Sequence, residues 1–157
     1  MATHNKLVTV DVSDPTNLIQ LGSADAGFFQ SRGVTVKDNI AYFADEGKGL
    51  LTIDVTDPEQ PIYLNWVKKS IGAKDVEVVD GIAYIANDSK GVVLVDVNDP
   101  ANPVFLGSAD AIGFGGGIDV ANGDIYFAST FGGLHIYEYE PSSFRPTLFE
   151  RWGFGER

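Results

Sequence analysis

The sequence predicts an all-β fold, a β-propeller built from four-stranded antiparallel blades. The first observation is a repeated phrase, Asp-x-x-Asp-Pro, which occurs at residues 11–15, 54–58 and 96–100, in steps of 43 and 42 residues. The second is that each copy ends a β-branched apolar run, in a chain that alternates with period two and lacks helical spacing. A unit of four short strands that recurs about every 40 to 45 residues is typical of a propeller blade.

The repeat is clearest in residues 32–73, where each element follows from local residue types. β-branched and aromatic runs between turn residues predict four strands, at residues 34–36, 40–44, 50–55 and 62–67. Asp38-Asn39 joins the first two strands, and both residue types tolerate the positive φ that a two-residue hairpin turn requires. Gly49 precedes the third strand, where a bend or a close backbone approach needs no side chain. Asp57-Pro58 is the turn between the last two strands.

Two further units repeat this pattern at an offset of 42 residues. Their strands are predicted at residues 76–78, 82–86, 92–97, 104–106, 118–120, 125–128, 134–139 and 148–152. The turn and glycine positions are repeated as well, at Asp80-Gly81, Asn122-Gly123, Gly91 and Gly133. A degenerate fourth copy of the Asp-Pro phrase, at residues 138–141, predicts an altered turn in the last blade.

The number of predicted blades is not whole. Residues 7–12 and 18–21 supply only a third and a fourth strand, so a half blade is predicted at 1–31. Complete blades are predicted at 32–73, 74–115 and 116–157, which makes residues 1–157 one partial propeller of about 3.5 blades. Because known rings have roughly four to eight blades, we expect a further segment to complete the ring. We expect it in a longer chain of which these residues are a piece, or alternatively in a second copy.

Three stretches of the sequence resemble a known repeat. Residues 51–58 (LTIDVTDP), 94–100 (LVDVNDP) and 82–86 (IAYIA) are similar to the LVIVD repeat. The resemblance implies propeller blades in a secreted or cell-surface protein of bacteria or archaea. The repeat defines blades and no catalytic residue set, so it implies the fold and an extracellular location without implying an activity.

Composition excludes several classes of partner and site. The net charge of −11 has the wrong sign for a surface that binds nucleic acid or an anionic membrane. The absence of cysteine excludes disulfides, thiolate metal sites and a cysteine nucleophile. No run approaches the roughly 18 apolar residues of a membrane-spanning helix, so none is predicted.

Several motifs invite a chemical interpretation and favour a structural one. The paired aspartates of the Asp-Pro phrase offer few further carboxylates for Ca²⁺, so they are interpreted as turn-capping residues. The glycines at 113–117 lead into a strand without a following lysine, so a linker between blades is predicted in place of a phosphate loop.

His135 lies where a strand residue is expected, which predicts a partly buried, hydrogen-bonded side chain. Glu77 and Asp119 share one repeat position and are interpreted as solvated or salt-bridged. We therefore predict no catalytic residue, metal or cofactor.

The loops between blades are the predicted binding surface, because long loops on a rigid scaffold usually carry function. They span residues 22–32, 67–74 and 107–117 and share one rim with the loops at 45–48, 87–90 and 129–132. Exposed phenylalanines beside charges suit a protein or sugar contact, although packing between blades is the alternative for these rings. The candidate partner-binding residues are Asp25, Phe28, Phe29, Arg32, Lys68, Lys74, Asp110 and Phe114.

These observations predict a non-enzymatic scaffold, extracellular or at the cell surface, that binds protein partners through its rim loops. The acidic surface favours basic partners or cations. One alternative is a carbohydrate-binding propeller, for which Trp66 and Trp152 in alternate fourth strands are the candidate platforms. Another is the non-catalytic part of a propeller hydrolase or lyase whose acid and base lie in other blades.

Overall fold

A computed structural model describes residues 6–27 and 30–138 of the chain. Over these residues the chain forms thirteen β-strands and one 3-10 turn, Lys68–Ser70. The strands are β1 (Lys6–Asp11), β2 (Ile19–Asp25), β3 (Ser31–Lys37), β4 (Ile40–Asp45), β5 (Gly49–Asp54), β6 (Ile62–Val67), β7 (Ala73–Val79), β8 (Ile82–Asn87), β9 (Gly91–Asp96), β10 (Val104–Ala109), β11 (Gly115–Ala121), β12 (Asp124–Ser129) and β13 (Gly133–Glu138).

Strands that follow one another in sequence pair antiparallel and form separate sheets. The sheet orders are β1-β2, β3-β4-β5-β6, β7-β8-β9-β10 and β11-β12-β13. This confirms the predicted β-propeller with four-stranded blades, which we number blade 1 (β3–β6), blade 2 (β7–β10) and blade 3 (from β11 onward), after the half blade β1–β2. The strand predicted at 148–152 and the degenerate turn at 138–141 lie wholly or partly outside the described residues.

The core lies between blades. Strand β7 packs between β3 and β11, so the first strands of the blades are neighbours and lie innermost. One buried cluster joins Tyr42 and Leu50 of blade 1 to Val76 and Val93 of blade 2. A second cluster joins blades 2 and 3 and includes the fully buried Phe127. Blade 2 is therefore covered on both faces, which explains why its strand β9 is apolar along its length.

The turns form as their residue types predict. The first hairpin turn of blade 1 has φ of 50° at Asp38 and 61° at Asn39, and the equivalent residues of blades 2 and 3 also have positive φ. In each Asp-Pro phrase the two aspartate side chains accept backbone N–H bonds at 2.8–3.0 Å from the residue two positions further on. The bonds from Thr56 hold the pKa of Asp54 below its ordinary value. These contacts agree with the interpretation of the aspartates as turn-capping residues.

One sheet face of the described structure is open to solvent. Val34 and Val36 of β3 are 56% and 60% exposed, whereas Val76 and Val78, at the same repeat positions of β7, are 3% and 5% exposed. The difference arises because blade 1 covers β7, while the described residues before β3 supply only the two strands of the half blade. A groove of about 480 Å³ lies there, between β1 and the β3–β4 face. The incomplete set of blades thus indicates completion by another segment.

Candidate functional site

A buried polar residue ends the second strand of each of the first two blades and holds the rim loops in place. Asp45 accepts hydrogen bonds through Oδ2 from the backbone N–H of Gln30 and through Oδ1 from those of Gly47 and Lys48. These bonds join the loop that enters blade 1 to the loop between β4 and β5. An anionic acceptor suits this position because its partners are donors.

The same position in blades 2 and 3 uses different chemistry for the same purpose. Asn87 is fully buried, and its Nδ2 donates to the carbonyl oxygens of Ser70 and Ile71, both at 3.0 Å. Ser129 Oγ donates to the Ile112 carbonyl and accepts from the Gly132 N–H. Each blade therefore ties its incoming loop to its own second strand, which gives the rim a defined shape.

Four charged side chains form what we call the ion-pair row, which runs along the rim across blades 1 and 2. Arg32 Nε lies 2.8 Å from Glu46 Oε1 in blade 1, and Lys74 Nζ lies 2.8 Å from Asp88 Oδ2 in blade 2. Lys74 also contacts Glu46, so the two blades are joined by one ammonium group. Charges alternate along the row, and each acid accepts from a base on a neighbouring strand.

The ion-pair row shifts the pKa values of its two central members. Hydrogen bonding from Lys74, with a further contribution from Arg32, lowers the pKa of Glu46 below its ordinary value. Bonds to Asp88 and then to Glu46 raise the pKa of Lys74. Both shifts favour the charged forms of Glu46 and Lys74.

Blade 3 interrupts this pattern. Gly116 occupies the repeat position of Arg32 and Lys74, and Thr130 occupies that of Glu46 and Asp88. A cleft of about 440 Å³ opens at this point, and we call it the rim cleft. Its lining residues are Arg32, Lys74, Asp88, Phe114, Gly115, Gly116 and Thr130.

Two phenylalanines stand beside the rim cleft. Phe114 and Phe131 are 56% and 78% exposed, and their rings meet edge to face with centroids 6.1 Å apart. The loop that carries Phe114 is held by a backbone bond from Thr130 N–H to the Phe114 carbonyl. Solvent-exposed aromatic rings on a supported backbone are a common feature of binding surfaces. For Phe114 the alternative prediction, a ring tucked between blades, is therefore wrong.

The structure brings together only some of the predicted binding residues. Arg32, Lys74 and Phe114 all line the rim cleft. Asp25, Lys68 and Asp110 lie at the ends of the outermost strands, on the same rim but across the sheet from β3 and β7. Three strand spacings of about 4.8 Å separate the outer and inner strands of a blade. Phe28 and Phe29 lie outside the described residues, so the structure does not place them.

The sequence prediction missed Glu46, Asp88, Thr130 and Phe131 as site residues. The loops that carry them were identified as part of the rim, but the individual residues were not selected. A signal was available, because Glu46 and Asp88 are 42 residues apart, the same separation as Arg32 and Lys74. Acids and bases repeated at matching offsets indicate pairs that meet on neighbouring strands.

The remaining candidates have other surroundings. His135 was predicted to be partly buried; the structure has it buried, and it stacks on Tyr137 with centroids 6.2 Å apart. The expected hydrogen bond is not found at its Nε2, which has no partner among the described residues. Asp119 accepts a bond from the N–H of Val120. The linker predicted at 113–117 is shorter than expected, because β11 begins at Gly115.

Trp66, the first predicted carbohydrate platform, is only partly exposed to solvent. Its ring is 38% exposed, and Lys48 Nζ lies over it at 5.7 Å from the centroid. Trp152, the second predicted platform, is outside the described residues.

Over residues 6–27 and 30–138 there is no group of three or more His, Cys, Asp or Glu that could hold a metal ion. In the same residues no helix has the length and apolar character needed to cross a membrane.

Comparison with known sequences decides the family. The LVIVD repeat matches residues 1–26, 30–67 and 72–111, which is more than half of the chain. The chain belongs to the LVIVD repeat family. Each match corresponds to one set of strands: the half blade, blade 1 and blade 2. No curated protein matches the sequence.

Comparison with solved structures agrees with the propeller fold of this LVIVD-repeat chain. One similar structure is the crystal structure of a nidogen/laminin complex, with a TM-score of 0.51 and 13% sequence identity. The match covers 74% of this chain and 44% of that chain, so the LVIVD-repeat chain spans less than half of that chain's length. At this identity the likeness concerns the fold alone.

Proposed function

We propose that this LVIVD-repeat chain is a non-enzymatic binding scaffold, extracellular or at the cell surface, that holds a protein partner at the rim cleft. The observation that carries the proposal is the pair Phe114 and Phe131, exposed beside the ion-pair row on two loops that are hydrogen-bonded to each other. Aromatic rings next to charged groups are the residue types that dominate protein–protein binding energy.

Two further features support a protein partner. The rim loops are fixed by buried side chains such as Asn87, so little conformational entropy is lost when a partner binds. The net charge of −11 steers basic surfaces toward the chain at moderate ionic strength. The extracellular location is proposed from the resemblance to LVIVD-repeat proteins described above. The similar structure is that of a nidogen/laminin complex, which is compatible with a scaffold that engages another protein.

A carbohydrate partner is the rival proposal, and Trp66 is the residue that would favour it. The ring lies beneath Lys48 on the outermost strand of blade 1, away from the rim cleft. A glycan that uses Trp66 as a platform would have to displace Lys48 first. The rim cleft therefore supports a protein partner better than Trp66 supports a sugar.

Site-specific photo-cross-linking tests the proposal. A photoreactive phenylalanine replaces Phe131 in the full-length protein of the native cell, and a second variant carries it at Val104, which is also exposed but lies on the outer strand β10. We expect a discrete protein adduct at position 131. An excess of wild-type protein without the photoreactive group should prevent this adduct, whereas an excess of the Phe114→Ser variant should not. Identical adducts at both positions, or no adduct at position 131, would contradict the proposal. Binding to a glycan array that Trp66→Ala abolishes would also contradict it.

A further inference from the structure

We propose that the rim cleft receives a lysine or arginine side chain of the partner protein, with its cationic group seated where Gly116 leaves blade 3 without a base. This inference rests on the proposed function and specifies the chemistry of the partner. Arg32 and Lys74 occupy this repeat position in blades 1 and 2, where both are bound by carboxylates. In blade 3 the position is available to a group from another molecule.

The two carboxylates of the ion-pair row differ in how many bases they bind. Glu46 contacts Arg32 of its own blade and Lys74 of the next blade. Asp88 is the equivalent residue of blade 2, and Lys74 is its one ion-pair partner among the described residues. Its side chain is 33% exposed toward the rim cleft that Gly116 lines. Glu46 shows that one carboxylate in this setting accommodates two cations, so Asp88 has the capacity for one more.

The backbone at Gly116 leaves space for the incoming group. Among the described residues, a Cβ built on Gly116 would meet one atom, the Ala128 carbonyl oxygen at 3.3 Å. Beyond it lies the rim cleft, at the repeat position where blades 1 and 2 carry long side chains. Thr130 Oγ1 donates to the Phe114 carbonyl at 3.3 Å, which leaves the hydroxyl lone pairs free to accept from a cation. Asp88 and Thr130 are thus two acceptors that line the same open cleft.

The aromatic pair and the overall charge favour a cation in this cavity over an anion. Phe114 and Phe131 offer ring faces and edges beside it, and a cation over a phenylalanine ring is attracted by the ring quadrupole. Lys74 is shared between two carboxylates, Glu46 and Asp88, so it holds little unshared charge for an anionic ligand. The flexible stem of lysine or arginine would pack on the exposed rings while its head reaches Asp88.

The test uses a pair of peptides that differ only in charge. The probes are acetyl-Gly-Gly-Arg-Gly-Gly-amide and the same peptide with citrulline, the neutral isostere of arginine, titrated into the isotopically labelled full chain. We expect saturable NMR shifts at the amides of Gly116 and Thr130 with the arginine peptide, and binding at least about tenfold weaker with citrulline. Equal binding of both peptides would overturn the inference.

Variants separate charge from shape. Asp88→Asn preserves the shape of the side chain and should weaken arginine-peptide binding about tenfold, whereas Asp124→Asn, at the opposite end of β12, should leave it unchanged. Gly116→Lys should abolish binding because the chain then supplies its own cation, and circular dichroism verifies that the variant is folded. Wild-type affinity in Asp88→Asn would overturn the inference. If an adduct forms at position 131 but no charge preference appears, the proposed function stands and this inference fails; if neither appears, both fail.

Discussion

The hydroxyl of Thr52 donates a hydrogen bond of 2.7 Å to the carbonyl oxygen of Pro100, which belongs to the Asp-Pro turn of the next blade. Asn65 Nδ2 donates to the adjacent Ala101 carbonyl at 2.7 Å. Thr9 makes the equivalent bond from the half blade to the carbonyl of Pro58. The Asp-Pro phrase therefore does more than reverse the chain. Its backbone carbonyls join blade 1 to the half blade and blade 2 to blade 1.

Thr52→Val tests this blade-to-blade contact. Thr52 is fully buried, so the substitution keeps the shape and leaves the Pro100 carbonyl without its donor. We expect a loss of about 1–2 kcal/mol in the free energy of unfolding, measured by urea denaturation. Thr52→Ser retains the hydroxyl and should lose less. A serine variant that is less stable than the valine variant would contradict the role of the hydrogen bond.

Much of the fold was predictable because the repeat consists of residues whose conformational preferences are local. Asp38-Asn39 and its equivalents determine a hairpin turn by their φ preferences alone, and β-branched runs determine strands. The contact between Thr52 and Pro100 was not predictable, because it depends on how two blades are placed side by side. Blade 2 shows the same limit. Leu94 occupies the repeat position that Thr52 occupies in blade 1, and no local sequence pattern indicates which of these residues contacts the next blade.

The candidate site was predictable only in part. Arg32, Lys74 and Phe114 were selected from loop position and spacing, and they do line one cleft. Asp110 was selected by the same reasoning and lies at the end of an outer strand instead. Sequence spacing indicates which rim a residue occupies, but its distance from the propeller axis depends on the order of strands in the sheet. Glu46 was missed for a different reason, because its role depends on a base from a neighbouring blade.

Asn87→Asp should destabilise the protein by about 2–4 kcal/mol, read as a lower urea midpoint. The amide donates two bonds to the carbonyls of Ser70 and Ile71, and a buried carboxylate there would face acceptors without a donor of its own. Asn122→Asp is the matched control, because that turn position holds Asp38 and Asp80 in the other blades and tolerates the change. Equal stability of the two variants would refute the role given to Asn87.

Gly91→Ala and Gly123→Ala form a second matched pair, since both glycines have positive φ, at 66° and 85°. A Cβ at Gly91 would lie 2.3 Å from the Ala109 carbonyl oxygen, whereas no described atom is within 4 Å of one at Gly123. We expect about 3 kcal/mol or more of destabilisation at Gly91 and about 1–2 kcal/mol at Gly123. Thermal unfolding that ranks them the other way would show that φ strain, and not the close approach, dominates.

The ion-pair row should produce a plateau in stability between about pH 5 and pH 10. The pKa of Glu46 is lowered in the folded state, so its contribution is present above the ordinary carboxyl value of about 4.3 and is lost as the pH falls through the lowered value. The pKa of Lys74 is raised, so its contribution is present below about 10.4 and is lost as the pH rises through the raised value.

Glu46→Gln should reduce the acidic limb of this dependence by the share that Glu46 contributes. Because the pairs are partly exposed, we expect a loss of only about 0.5–1 kcal/mol at pH 7, and less in high salt. Urea midpoints across pH for Glu46→Gln, with the exposed Glu59→Gln as control, provide the measurement. A wild-type pH profile in Glu46→Gln would mean that other carboxylates, such as Asp54, carry the acid sensitivity.

Val36→Lys tests how the open face of β3 is completed. Val36 is 60% exposed, whereas the equivalent Val78 of β7 is 5% exposed because β3 and β4 of blade 1 pack on β7. A pair of strands similar to β3 and β4 would therefore fit over Val36. We expect the 157-residue chain alone to self-associate through this face, and Val36→Lys to shift it toward monomer in sedimentation velocity while circular dichroism shows that the variant stays folded. Val104→Lys, equally exposed on β10, should leave the association unchanged. A chain that stays monomeric at high concentration, or equal effects of the two lysines, would show that this face is not the contact between copies.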